Sequence, residues 1–507
     1  MQQTDSEKKE QSDRRLGGIL IAAAGSGGGK TTVTCGLLRL LVRSGYNPCA
    51  FKCGPDYIDP SFHQRVLGVP SYNLDPFFMG KEGLRHLYET HSKGHDISVI
   101  EGVMGYYDGL GFTGEASTYS VAAALRIPVI LVVDCKGMGH SVMAVVEGFV
   151  KHRQPSMIQG VLFNRMPLSL YEKAAEAVRS MGLIPCGCLP ESGGLRLESR
   201  HLGLMMAQEV RDFSAKIDDL AGKLAETVDV DGILGLAESA GTDSVGSESA
   251  GTDSLFHIQA EGNCLHDGES EQSAPPLRVA VARDEAFCFL YEDNLNFLRE
   301  KGAEPVFFSP LHDEGVPVSC DALYLSGGYP ELYAGQLADN SSMKQDIRQK
   351  IAAGMPCIAE CGGFLYLHEQ LEAQEGSAPP RFYEMAGVIP ARAANRRRKG
   401  RFGYIEATLR GDCLLGKKGD SFRAHEFHYW ESEADCADLY VRKPGNGSVW
   451  MEGVCTETLY AGFPHLYFYG SPGTGEAFLA AAAVYRVRRG KGEGLLCERD
   501  GRTDSNP

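Results

Sequence analysis

The stretch "CIAECGG", Cys357–Gly363, ends an apolar run on a cysteine and two glycines. A thiol carried by a strand onto a sharp turn, with a helix behind it, has the layout of a nucleophile elbow. A helix N-terminus lowers a thiol's pKa, so Cys361 is expected to hold thiolate near neutral pH. The N–H of Gly362 could donate to an oxyanion, and "LSGGYPE" (Leu325–Glu331), with Gly328, offers more glycine N–H donors. Covalent catalysis by a cysteine also needs a base. His425, His428 and His465 stand downstream, in "AHEFHYW" and "AGFPHLYFYG".

A second set of residues suits phosphate chemistry. "AAAGSGGGKTT" places Gly27, Gly28 and Gly29 before Lys30, Thr31 and Thr32. Glycines let backbone N–H groups turn toward phosphate oxygens, and a helix N-terminus adds its dipole. Lys30 would reach the β/γ-phosphates of ATP and Thr31 would hold Mg²⁺. The loop departs from the usual pattern in having Ala24 where the first glycine belongs. "SVIEGVMGYYDG" puts Glu101 at the carboxyl end of a strand, where a carboxylate suits Mg²⁺, and Asp108 on the next turn. "KCGPDYIDP" sets Asp56 and Asp59 between prolines after another strand, a place where an acid can sense a γ-phosphate. Asn164, after "GVLF", is a candidate base contact or a structural strand-end asparagine.

Strands and helices must position both sets. From Gly17 short apolar strands alternate with amphipathic helices, which predicts an α/β, doubly wound parallel sheet. The rhythm stops near 235, where "ESAGTDS" occurs twice in a stretch rich in Gly, Ser and acid. It restarts at Leu277. The expected division is a disordered tail over 1–16, a P-loop nucleotide-binding domain over 17–215, a linker with a low-complexity insert over 216–276, a second doubly wound domain over 277–487, and a flexible tail over 488–507. "CIAE" should be strand and "FLYLHEQL" helix.

The totals exclude several classes. Lys+Arg 50 against Asp+Glu 66 leaves a net charge of −16, which argues against a general nucleic-acid binder. Apolar runs such as "IPVILVV" are too short for a bilayer, and the polar N-terminus has no apolar signal core. The 15 cysteines have no zinc-ribbon spacing, so reduced thiols in a cytoplasm are expected. One basic run, "RAANRRRKGRFGY" (Arg392–Tyr404), is either a polyanion-capture loop or a solvated charge run.

The segments "GSGGGKTT", "KCGPDYIDPSFH", "IEGVMGYYDG", "LSGGYPEL", "AECGGFLYL" and "FPHLYFYG" together resemble the cobyrinate a,c-diamide synthase family of cobalamin biosynthesis. The likeness runs over about 17–215 and 277–487. It implies a dethiobiotin-synthetase-like P-loop domain joined to a class-I-like glutamine amidotransferase domain. It implies that Cys361 is the nucleophile and His465 its base, in a dyad lacking the usual acid two residues beyond the histidine, where Tyr467 stands. It also implies that Asp56, Tyr57, Asp59, Glu101 and Asp108 contact phosphate, metal or a tetrapyrrole polycarboxylate. ATP with Mg²⁺ would phosphorylate the a and c carboxylates, and ammonia from glutamine would displace the phosphate. Nickel-sirohydrochlorin a,c-diamide synthase and cobyric acid synthase share this layout. A partitioning-type switch ATPase is the non-enzymatic rival, but Ala24, Gly25 and Ser26 supply no early P-loop lysine. Homodimerisation stays open.

Overall fold

Apolar runs that would be insoluble on a surface pair side by side in the interior. A computed structural model describes residues 17–191, 207–242, 275–374, 376, 379–396 and 400–500. In the N-terminal half these runs are β1 (Gly18–Ala23), β2 (Pro48–Cys53), β3 (Ser71–Leu74), β4 (Ile97–Glu101), β5 (Val129–Asp134), β6 (Ile158–Asn164) and β7 (Ile184–Leu189). They form one sheet in the order β3-β2-β4-β1-β5-β6-β7 with parallel pairing throughout. Alternate residues feed two cores. Leu20, Ala22, Cys49 and Phe51 face one, while Ile19, Ile21 and Ala23 face the other. A sheet buried on both faces is why its strands read as unbroken apolar runs.

The order reverses around β1, so ligand-binding loops gather at the carboxyl ends of β1, β2 and β4. Register brings their last residues level, with Lys52 opposite Glu101 and Ile21 also opposite Glu101.

Part of the expected linker is domain instead. Helices Ala207–Thr227 and Val230–Thr242 run through its residues 216–242. Ile217, Leu220, Leu224, Ile233 and Leu236 bury against Val33, Leu37 and Leu41 of the helix after the P-loop and against β1. The low-complexity composition masked this apolar periodicity. The tail expected at 1–16 and the insert from 243 to 274 lie outside the described residues, while the first residues of the repeat, 238–242, end the helix Val230–Thr242. The tail expected from 488 continues the helix Pro472–Asp500.

The C-terminal half is built on a six-stranded sheet. Its strands are β8 (Leu277–Ala282), β9 (Ala303–Phe308), β10 (Ala322–Leu325), β11 (Cys357–Glu360), β20 (Val454–Cys455) and β21 (Leu459–Gly462), ordered β20-β21-β11-β10-β8-β9. All pair parallel but β20. Two further sheets, which the sequence did not reveal, use β12 to β19 and β22. One joins β13 (Arg381–Glu384), β12 (His368–Ala373), β14 (Ile389–Asn395) and β17 (Trp430–Ser432). The other joins β19 (Val449–Glu452), β18 (Leu439–Arg442), β15 (Arg401–Leu409), β16 (Ser421–His428) and β22 (His465–Leu466). The helix expected over "FLYLHEQL" is therefore short. It spans Gly362–Leu367, and His368 turns extended, its Nδ1 meeting the Phe364 carbonyl at 2.8 Å.

The halves dock through aromatic and polar contacts. Phe78 stacks on Tyr467, and Phe77 packs on Tyr404. His91 Nε2 lies 2.8 Å from Asp293 Oδ1, whose other oxygen accepts from Tyr467 Oη at 2.8 Å. Tyr404 Oη donates to Asp75 Oδ2 at 2.8 Å. Among the described residues no helix is long and apolar enough to cross a membrane.

Asp75 carries a pH consequence. Burial raises its pKa to about 7, and hydrogen bonds from Tyr404, Phe77 and Phe78 offset this only in part. The folded chain therefore holds a proton on Asp75 across a range where the unfolded chain has lost it. This contribution to stability is full below about pH 4 and is lost as pH rises toward 7. Asp75→Asn should flatten the fall in melting temperature between pH 5 and 8. An unchanged slope in calorimetric scans would show that other groups carry it.

Candidate active site

Gly29 opens the helix Lys30–Arg43 with φ of 100°, a conformation glycine adopts at little cost. A Cβ there would meet Asn164 Nδ2 at 2.3 Å, and that same amide donates to the Gly28 carbonyl at 3.1 Å. Asn164 thus braces the loop made by Gly27, Gly28 and Gly29. Lys30 folds back over the loop, donating to the carbonyls of Gly25 (3.1 Å) and Met104. Burial first, and Lys52 second, lower its pKa to about 8. Thr31 Oγ1 donates to Glu101 Oε1 at 2.5 Å, and Thr32 follows on the same first turn. Asp108 Oδ2 accepts from Gly105 N–H at 2.9 Å, closing a turn that rests on Ala24.

Lys52, not singled out in the sequence, is the centre of this site. Its ammonium is buried, bonded to Asp59 and to Glu101 Oε1 at 2.8 Å, and is 3.9 Å from Asp56. Burial acts to lower its pKa, but Asp59, Glu101 and Asp56 outweigh that and hold it well above the usual lysine value. Burial likewise works against the Glu101 charge, yet Lys52 and His63 keep that carboxyl below its usual range. Asp59 is pushed up, by burial first and Glu101 second. The signal was a lysine in a strand, "PCAFKC", whose every residue is buried. Asp56 Oδ1 accepts from the N–H groups of Ile58 and Asp59, so one of its oxygens shapes the loop.

Tyr57 reaches toward the other half. Its ring lies against Phe289 (5.3 Å between centroids), Tyr291 (4.4 Å) and His465 (5.1 Å), all from the other half. A small cleft between the halves is lined by Asp56, Tyr57, Arg65, Arg283 and Glu292 among others.

The second site is the elbow itself. Cys361 has φ of 45°, rare for a residue with a side chain and diagnostic of a strained turn. A Cβ on Gly362 would sit 2.7 Å from Gly328 N, so the two glycines expected to form an oxyanion hole lie together. A Cβ on Gly327 would meet His465 Cε1 at 2.4 Å. The Gly327–Gly328 turn thus touches both the elbow and the histidine. His428 is occupied otherwise, its Nδ1 2.7 Å from the Trp430 carbonyl and its ring stacked on Phe463. His425 lies opposite His465 in register, and burial lowers its pKa to about 3.

The thiol differs from expectation. Burial, then Glu331 and Glu360, push the Cys361 pKa up, against the N–H of Gly362, which lowers it. A six-residue helix and a 4% exposed side chain leave desolvation in command. In the basic run, Arg392 lies over the Phe382 ring and Arg401 pairs with Glu452 at 2.9 Å. Residues 397–399 lie outside the described residues.

Two family models match the halves. A CobQ/CobB/MinD/ParA nucleotide binding domain matches residues 19–202, and a CobB/CobQ-like glutamine amidotransferase domain matches 278–472. The pairing defines a glutamine amidotransferase fused to a P-loop nucleotide-binding domain. Curated relatives include the cobyrinate a,c-diamide synthases of Listeria innocua, Salmonella typhimurium and Caldanaerobacter subterraneus. They are 39%, 38% and 35% identical over 87%, 89% and 87% of this chain and 94%, 95% and 92% of theirs. The chain belongs to the cobyrinate a,c-diamide synthase family.

Removing Lys52 leaves buried carboxylates without their cation. Lys52→Met should destabilise the N-terminal domain by about 3–5 kcal/mol and abolish synthesis with free ammonia as the nitrogen source. Calorimetry and an ammonia-dependent assay check it. A wild-type melting profile would show that protons, not Lys52, neutralise the cluster.

Proposed function

We propose that this chain amidates the a and c side-chain carboxylates of cobyrinate, or its metal-free counterpart, in cobalamin biosynthesis, using ATP and glutamine. The observation that carries this reading is the contact of Tyr57 with His465. It sets the acidic loop of a phosphate site against the histidine of a glutaminase site. The names of the relatives support cobyrinate over nickel-sirohydrochlorin, and the intact elbow speaks against a switch ATPase.

In the glutaminase half, Cys361 Sγ attacks the glutamine amide. Its raised pKa makes a free thiolate costly, so His465 takes the proton as the attack proceeds and returns it to the departing ammonia. The N–H groups of Gly362 and Gly328 hold the oxyanion. Water then releases glutamate from the thioester. In the synthetase half, the N–H groups of Gly27, Gly28 and Gly29 and the Lys30 ammonium bind the ATP phosphates. Lys30 stabilises charge as the γ-phosphoryl moves to a substrate carboxylate, and ammonia displaces phosphate from the acyl phosphate. Asp56, Asp59 and Asp108 border the ring-carboxylate site, and Tyr57 walls it from His465.

The residues present fit Mg²⁺. Thr31 Oγ1 and Glu101 Oε1 meet at 2.5 Å, Glu101 Oε2 has no partner closer than His63 Nε2 at 3.6 Å, and Asp56 lies 3.9 Å from the Lys52 ammonium that also holds Glu101. A hydroxyl with one or two carboxylates is the donor set Mg²⁺ takes when phosphates complete its shell. When bound, it would neutralise the β/γ-phosphates. A cytoplasmic setting, expected from the unpaired thiols, belongs to this reading.

Two substitutions separate the half-reactions. Cys361→Ser should abolish glutamine use but retain synthesis from free ammonia. Lys30→Ala should lose synthesis from both nitrogen sources. The readout is the mass of the tetrapyrrole product. Equal loss from both sources in a folded Cys361→Ser variant would refute the two-site scheme.

A further inference from the structure

His465 is fully buried, and neither ring nitrogen has a hydrogen bond within the usual limit. A buried imidazole that must accept a proton needs a negative neighbour to steady the cation it becomes. The residue two positions on, Tyr467, cannot serve, since its hydroxyl is spent on Asp293. The nearest carboxylate comes from the other side of the site. Glu360 Oε2 lies 3.6 Å from His465 Nδ1. Both side chains are essentially sealed from water, so their interaction is little screened.

The carboxylate is also held in place. Glu360 is the last residue of β11, paired with Gly462 of β21, three residues before the histidine. Its Oε1 accepts from Leu466 N–H at 2.9 Å, the amide next to His465. One oxygen is therefore fixed to the backbone that carries the imidazole, and the other faces Nδ1. Other titratable groups around the pair are His425, opposite His465, His428 nearby, the Tyr57 ring over His465, and Tyr291, Tyr324, Tyr460 and the Cys361 thiol beside Glu360. None is anionic near neutral pH, so Glu360 is the negative charge His465 meets.

We propose that Glu360 is the charged partner of His465, a positioning residue supplied from immediately before the nucleophile. The chain then has a Cys–His–Glu arrangement whose acid arrives from another strand. Glu360 orients the ring so that Nδ1 faces the carboxylate and Nε2 is left for the thiol proton. The inference rests on the glutaminase reading of Cys361 and His465.

The test compares Glu360→Gln and Glu360→Asp with wild type for glutamine-dependent and ammonia-dependent synthesis. Gln keeps an oxygen for Leu466 N–H but loses the charge. Glutamine-dependent kcat should fall on the order of 10²–10⁴-fold in the Gln variant, with the KM for glutamine little changed and ammonia-dependent synthesis retained. Asp should keep more activity than Gln. The acidic limb of the pH profile for glutamine hydrolysis should move to lower pH in Gln, because the imidazolium loses its counter-charge. A Gln variant as active as wild type, or at least as active as Asp, would overturn the assignment while leaving Cys361 as nucleophile. If Gln fails to fold, losing ammonia-dependent synthesis too, Glu360→Ala decides: glutamine-dependent kcat at or above that of the Asp variant overturns it. Glutamine use that survives Cys361→Ser would instead strike at the glutaminase reading itself.

Discussion

Three carboxylates cannot share a dry pocket unless something cancels their repulsion. Here the buried ammonium of Lys52 does so, reaching Asp59, Glu101 and, more distantly, Asp56. An ion taken out of water costs several kcal/mol, and only close, well-aligned partners offset that. This constraint explains much around it. Lys52 must end a strand beside β4 so that Glu101 falls opposite it. The proline-bounded loop must fold back so that Asp59 reaches the same cation. The Thr31 hydroxyl is then drawn onto Glu101, which ties the P-loop to the cluster. The arrangement keeps anionic groups concentrated beside the loop of the nucleotide-binding domain.

Much of this was legible in the sequence because it rests on local signals. Glycine spacing gave the P-loop, apolar runs gave the parallel strands, and the strand–Cys–Gly-Gly pattern gave the elbow. What stayed hidden depends on approach across the chain. Lys52 and Glu360 look like ordinary charges at strand ends until register sets one beside Glu101 and the other beside His465. Tyr57 reads as part of an acidic loop, yet its ring belongs to the seam between the halves. The helices through 216–242 were obscured by their neighbourhood of Gly, Ser and acid. Burial works against the expected thiolate, pushing the Cys361 pKa up despite the N–H of Gly362.

The elbow shows how strain and burial are combined. Holding Cys361 at positive φ costs of order 1–3 kcal/mol, and close packing around Gly327, Gly328, Gly362 and Gly363 maintains it. Side chains at these glycines would collide with His465, Ala286, Gly328 or Leu325. A thiol this enclosed is protected from oxidants and from stray electrophiles.

The aromatic seam bears on how such a chain can change over generations. Tyr57 of one half is packed among Phe289, Tyr291 and His465 of the other, and Phe78 is stacked on Tyr467. A glutaminase borrowed from a distant lineage would bring a surface cut for a different mate. The histidine at the place of His465 would then rest on the wrong ring or on water. The two halves are thus bound to drift together, each accepting only those replacements its neighbour can match, and recombination is confined to breakpoints that leave the seam whole.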